Sequence, residues 1–194
     1  MKLVRIPESK YYDYRIQAMF DCYKWDPQFC DSNTLSKYAL ILTKEENEEV
    51  IRLTKKLDNE TRIAEKYLNQ NIRIAKKLAL PKKILEQIPK MQNYDDKKNI
   101  RLMRYDFHPD INKRWVVTEV NSDVPGGFAE SSLLPELARK TINNSELEFI
   151  SFGERMVEAI NTKLNKKGTI MMVHCTCFSD DRQVMQYMGD RLKK

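Results

Sequence analysis

The sequence predicts an α/β (α+β) fold in which a mixed β-sheet is flanked by helices and preceded by a long helical segment. Three observations carry that prediction. Apolar residues recur every three or four positions from Val50 to Ala79, short runs rich in β-branched and aromatic residues follow Ile100, and helical spacing returns at Phe149. With 194 residues, 41% of them hydrophobic, the chain can bury one substantial core with a helical appendage. A single domain spanning 1–194 is therefore expected, mainly helical over 1–99 and α/β over 100–194.

The elements follow in chain order. Residues Tyr11 to Phe29 crowd seven aromatics among polar residues, and Pro27 breaks any long helix there, so irregular or short-helical structure is expected. Thr43 and Glu46 have the spacing of a capping box, and Val50, Leu53, Leu57, Thr61, Ala64, Leu68, Ile72, Ala75 and Ala79 then trace one face of a long helix, or of two with a bend. Pro81 ends it, and a short helix through Ile84 to Ile88 precedes Pro89. Ile100 to Phe107 and Arg114 to Val120, separated by Pro109, Asp110 and Asn112, read as a β-hairpin. Phe149, Phe152, Met156, Ile160 and Leu164 mark another helix that Gly168 stops. Thr169 to Val173 is a candidate buried strand, and Ser179 can cap a last helix with Val184, Tyr187, Met188 and Leu192 on its apolar side.

Charge and cysteine usage narrow the function classes. Charged residues make up 32% of the chain with both signs interspersed and an excess of +6, which places most charge on solvated faces and calls for no nucleic-acid partner. The excess suits a small polyanion such as a nucleotide. Met1 to Ser9 lacks an apolar stretch of signal-peptide length, and no segment approaches the roughly 20 apolar residues that cross a bilayer, so a cytoplasmic protein without membrane partners is expected. Cys22, Cys30, Cys175 and Cys177 are too scattered for a disulfide framework, and free thiols are expected.

Chemistry concentrates around the hairpin. A spacing of two puts Arg104 and Asp106 on one strand face, and Glu119 and Asn121 on one face of the next strand. If the two faces align, two carboxylates and an amide oxygen converge, a hard oxygen set suited to Mg2+ that also holds nucleotide phosphates, with a guanidinium beside it to grip a phosphoryl oxygen. On the residues alone, a cross-strand salt bridge between Arg104 and one acid is the commoner use of such a face. Gly126 and Gly127, two of only five glycines, let the backbone take positive φ and approach an anion at a helix start; a plain turn explains them equally well. His174, Cys175 and Cys177 lack a second Cys/His cluster at zinc spacing, so His174 is better considered as a substrate or phosphate contact or a structural histidine.

Arg104-Tyr105-Asp106, Glu119-Val120-Asn121 and the following Ser122-Asp123-Val124-Pro125-Gly126-Gly127-Phe128 resemble the circularly permuted ATP-grasp family of glutathionylspermidine synthase. Trp25-Asp26-Pro27-Gln28, Glu60-Thr61 with Ala64-Glu65, His174-Cys175-Thr176 and Ser179 to Gln183 also look like that family's N-terminal half, so the likeness spans nearly the whole chain. It implies a pre-ATP-grasp-like domain of an ATP-dependent carboxylate-amine ligase that forms an amide through an acyl phosphate. It further implies Asp106, Glu119 and Asn121 as Mg2+ ligands, Arg104 as the catalytic phosphate contact, and Gly126 and Gly127 near the nucleotide. Ser122, Asp123 and His174 are weaker candidates for substrate contact. ATP with Mg2+, a carboxylate and an amine are the implied small-molecule partners.

The family's adenine enclosure and nucleotide-binding lysines would lie after Lys194, so the expectation for this chain alone is a partial ligase, inactive without an ATP-binding half supplied by another chain or by an oligomer. The alternative is a non-catalytic binding protein that keeps the scaffold and uses the four residues only for salt bridges.

Overall fold

A computed structural model describes residues 1–90, 101–122, 126–164, 168–175 and 177–192. The chain forms two compact units, Leu42–Asp123 and the flanking segments Met1–Ile41 with Val124–Lys194. It is a mixed α+β protein, but the described strands do not assemble into the expected mixed sheet. They form three separate two-stranded antiparallel ladders, two of them local hairpins and the third closing Lys2–Arg5 on Tyr38–Ile41 around the first helix, and no parallel crossover is made among the described residues.

The first 41 residues run β1 (Lys2–Arg5), α1 (Glu8–Phe20), β2 (Gln28–Phe29), β3 (Ser32–Asn33) and β4 (Tyr38–Ile41), with β1 paired to β4 and β2 to β3. The aromatic stretch is thus a regular 13-residue helix rather than irregular structure. Pro7, with φ −54°, sets its entry, and Tyr11, Tyr14 and Ala18 fall on one face at intervals of three and four. Burying that face overrides the local crowding of aromatics. The Tyr11 hydroxyl goes inside satisfied: it donates to the Leu35 carbonyl at 2.7 Å and accepts from Asn33 Nδ2.

The Leu42–Asp123 unit begins with α2 (Lys44–Gln70), whose capping box forms as expected: Thr43 Oγ1 accepts the Glu46 N–H at 3.2 Å and Glu46 Oε2 accepts the Thr43 N–H at 2.9 Å. The helix stops earlier than Ala79. Asn71 turns its side-chain amide back to the Tyr67 carbonyl at 2.7 Å, and only the short α3 (Ile72–Ala75) and a 3-10 turn follow before Ala79 adopts a left-handed conformation. Then comes α4 (Lys82–Leu85). The hairpin is β5 (Arg104–Pro109) with β6 (Trp115–Asn121), closed by Asp110, which accepts the N–H groups of Asn112 and Arg114 at 2.8 Å each. Arg101, just before β5, fixes the hairpin to α2 through Asp58 at 2.8 Å, Glu65 at 3.0 Å and Thr61 at 2.9 Å.

The chain then returns to the first unit with α5 (Phe128–Ile142), α6 (Phe152–Asn161) and α7 (Ser179–Leu192). Helix α5 packs on α1, and Leu137 and Ala138 join Ile6, Tyr11, Tyr14, Ala18, Cys22 and Leu35 in one apolar core. Its other contacts are with α6 and α7, where Phe128 stacks on Phe152 at 5.5 Å and Tyr187 and Met188 are buried. The expected strand at Thr169 to Val173 is not formed: these residues make no ladder, and Met171 and Val173 are 82% and 73% exposed. An apolar run becomes a strand only where a neighbour satisfies its backbone, and none of the described strands lies alongside. No described helix is long and apolar enough to cross a membrane.

Candidate functional site

The hairpin brings together the four residues singled out by their spacing. Arg104 is the register partner of Asn121, and Asp106 of Glu119. Between Asp106 and Phe107 the register shifts by one residue, leaving Thr118 unopposed in β6, its hydroxyl donating to the Asp106 carbonyl at 3.1 Å. Such a bulge re-aims the strand on either side of it. Here it changes the alternation so that Asp106 meets a carboxylate while Phe107 and His108 meet Val117 and Val116.

Two faces of the hairpin do different work. Tyr105 points toward α2, its hydroxyl 3.2 Å from Thr61 Oγ1, while its neighbours Arg104 and Asp106 project from the opposite face. There Arg104 Nε donates to Asp106 Oδ1 at 2.8 Å and Nη2 to Oδ2 at 3.1 Å, a fork closed within one strand rather than the expected cross-strand bridge. The Arg104 hydrogen bonds, opposed by partial burial and helped by the Arg104 and His108 charges and a hydrogen bond with Glu119, hold the Asp106 carboxyl below its ordinary range. Asp106 is thus a charged acceptor at neutral pH.

Asn121 adds an unmet group. Its Nδ2 is buried with no hydrogen-bond partner, and turning the amide about χ2 would present Oδ1 in the same place. Two carboxylates and an amide oxygen are the donor type that Mg2+ takes, so the residues present fit such an ion. No group of three or more His, Cys, Asp or Glu gathers around a possible metal position among the described residues. Any ion on this face would therefore keep several waters or phosphate oxygens as ligands, which is the usual habit of Mg2+.

The remaining candidates are not members of the β5–β6 pairing. Ser122 is exposed directly after β6, and Asp123 lies outside the described residues. Gly126, Gly127 and His174 belong to the other unit. Gly127 has φ +88° at the start of α5, a conformation that asks for glycine, and both glycines face open space where a Cβ would stand. His174 sets Nδ1 3.3 Å from the Cys175 carbonyl.

One polar cluster in the first unit was not assigned a role by spacing. Lys24 Nζ lies 2.8 Å from Asp26 and 3.5 Å from Glu130, whose second oxygen is buried without a partner. Burial would depress the Lys24 ammonium, but Asp26 and Glu130 outweigh it and lift it. Asp180 is raised by burial and by the charges of Asp26 and Glu130, with Lys24 opposing. The only sequence signal was that Asp26 and Asp180 lie in two stretches carrying the family likeness; their proximity depends on α7 folding back beside residues 24–26, which periodicity does not encode.

No family model, curated protein or solved structure matches the chain.

Proposed function

We propose that this chain supplies the metal-and-phosphate side of an ATP-dependent carboxylate-amine ligase of the glutathionylspermidine synthase type. The observation that carries this is the register of the hairpin, which sets Asp106 against Glu119 and Arg104 against Asn121 on one face. Asp106, Glu119 and Asn121 would hold Mg2+, which when bound withdraws charge from the phosphates of ATP. Arg104 presents a planar fork to a phosphoryl oxygen, and positioning and charge cancellation are the main needs of phosphoryl transfer. The carboxylate of the acid substrate attacks the γ-phosphorus, ADP leaves, and the amine then displaces phosphate from the acyl phosphate.

The test is a titration with Mn2+ in place of Mg2+, with and without ATP, followed by backbone amide NMR. Paramagnetic broadening centred on Arg104 to Asp106 and Glu119 to Asn121, lost in Asp106→Asn and in Glu119→Gln, is the expected result. Broadening elsewhere, or broadening that survives both substitutions, would reject the assignment.

A second reading, a binding protein that keeps the scaffold without catalysis, is favoured by one observation: the Arg104 fork already occupies both oxygens of Asp106. The two readings part on ATP. In the ligase reading Arg104 leaves Asp106 for phosphate, so ATP with Mg2+ shifts the Arg104 Nε–H resonance; in the binding-protein reading that resonance does not move.

A further inference from the structure

Cys175 and Cys177 place their sulfur atoms 3.0 Å apart, and both side chains are exposed. A disulfide needs about 2.0 Å between sulfurs, so closure asks for an approach of only about 1 Å. The chain here is tied by a hydrogen bond from the Phe178 N–H to the Cys175 carbonyl at 3.3 Å, directly ahead of the 14-residue helix α7. No third His, Cys, Asp or Glu gathers with this pair to make a metal site among the described residues. Two sulfurs in contact at the surface, without further ligands, suit sulfur exchange better than metal binding.

We propose that Cys175 and Cys177 form a thiol-disulfide exchange site that reacts with low-molecular-weight disulfides. The Cys175 thiolate attacks one sulfur of RSSR, forming a Cys175–S–SR mixed disulfide and expelling RS−, which takes up the proton Cys175 gave up. The Cys177 thiol then loses its proton and attacks the Cys175 sulfur, expelling the second RS−, which is protonated to RSH. Overall, two protein thiols are oxidised by two electrons, and one small disulfide is reduced to two thiols. Both sulfurs are exposed and in contact, so either can open the exchange and the other closes it. Cys30, exposed and with no second sulfur in contact among the described residues, serves as the internal single-thiol control, and Cys22 is buried.

The experiment exposes the folded chain to excess bis(2-hydroxyethyl) disulfide and follows intact mass and peptide maps. The peptide holding residues 175 and 177 should lose two hydrogens and carry no adduct, while Cys30 carries one. In Cys177→Ser, Cys175 should keep the mixed disulfide. In Cys175→Ser, Cys177 should likewise keep the mixed disulfide. Ring closure in the folded chain should exceed that of the urea-unfolded chain by at least about ten-fold, because the fold already holds the sulfurs together. Stable adducts on both cysteines of the folded chain, or equal closure rates folded and unfolded, would overturn the proposal. Both side chains are exposed, so the serine variants leave the core intact.

Discussion

Asp106 and Glu119 stand directly opposite each other across the β5–β6 hairpin, two acids paired at one register position. Directly opposed like charges destabilise an antiparallel pair, and a sheet selected only for stability would place a lysine or a neutral residue at one of them. Glu119→Gln should therefore raise stability in urea unfolding by about 0.2–1 kcal/mol while abolishing Mn2+ binding. A loss of stability on this substitution would mean that Glu119 serves the hairpin itself and not a ligand.

Arg104→Lys keeps the charge but removes the fork, so it tests geometry apart from electrostatics. Because Asp106 is held below its ordinary range when folded, the pair contributes stability above the unfolded value of about 3.9, and that contribution is lost as pH falls through the lower folded value. In Arg104→Lys the Asp106 carboxyl should titrate at higher pH, read from its side-chain carbon shift. Side-chain exposures of 39% for Arg104 and 30% for Asp106 keep the accompanying stability change within about 1 kcal/mol. An unmoved titration would show that charge alone sets Asp106.

Cys22 makes the opposite case, a buried group whose neutral form the fold prefers. Burial, with Asp21 and Glu136 adding to it and Lys140 opposing, pushes its thiol up to about 11. The unfolded thiol titrates near 8.5, so the contribution is complete below that value and is lost as pH rises through about 11. Stability should fall by about 1–3 kcal/mol across that window, and Cys22→Ala should flatten the fall. Chemical unfolding at pH 8, 9.5 and 11 measures it; parallel curves for the two proteins would show that other groups cause the loss.

What could be read from the sequence was whatever is settled within a few residues. Thr43 and Glu46 close their capping box by themselves, and the β5–β6 hairpin follows from two short runs around Asp110. Asn71 was a visible stop signal inside the long helix that the apolar spacing outweighed. Thr118 was not legible as a bulge, since nothing in its type distinguishes it from a paired strand residue. The run Thr169 to Val173 has strand composition but lacks a partner, and pairing is a property of the neighbour. For the site, spacing gave the two faces of the hairpin, whereas the register that aligned them turned on the bulge at Thr118, and the Lys24, Asp26, Glu130 and Asp180 cluster depended on contacts distant in sequence.

Besides the stacking of Phe128 on Phe152, the Ser132 hydroxyl links α5 to α6. Ser132, buried to 1% exposure, donates to the Phe128 carbonyl at 2.6 Å and accepts the Gly153 N–H at 2.6 Å, satisfying a donor in the first turn of α6 that no residue of its own helix can reach. Ser132→Ala strands that buried N–H, and should cost about 1–3 kcal/mol in urea unfolding without altering Mn2+ binding at the hairpin. Gly153 is constrained from its other side: a Cβ there would stand 2.0 Å from the Tyr187 hydroxyl, and Tyr187 is fully buried, so its ring has little room to yield. Gly153→Ala should therefore cost about 1–3 kcal/mol through overpacking even though alanine is the better helix former. Pairing it with Tyr187→Phe, which removes the clashing oxygen, should recover part of that loss. A double variant no more stable than Gly153→Ala would place the strain at the ring carbons Cε1 and Cζ, 2.4 and 2.5 Å from that Cβ and kept by phenylalanine, instead of at the hydroxyl.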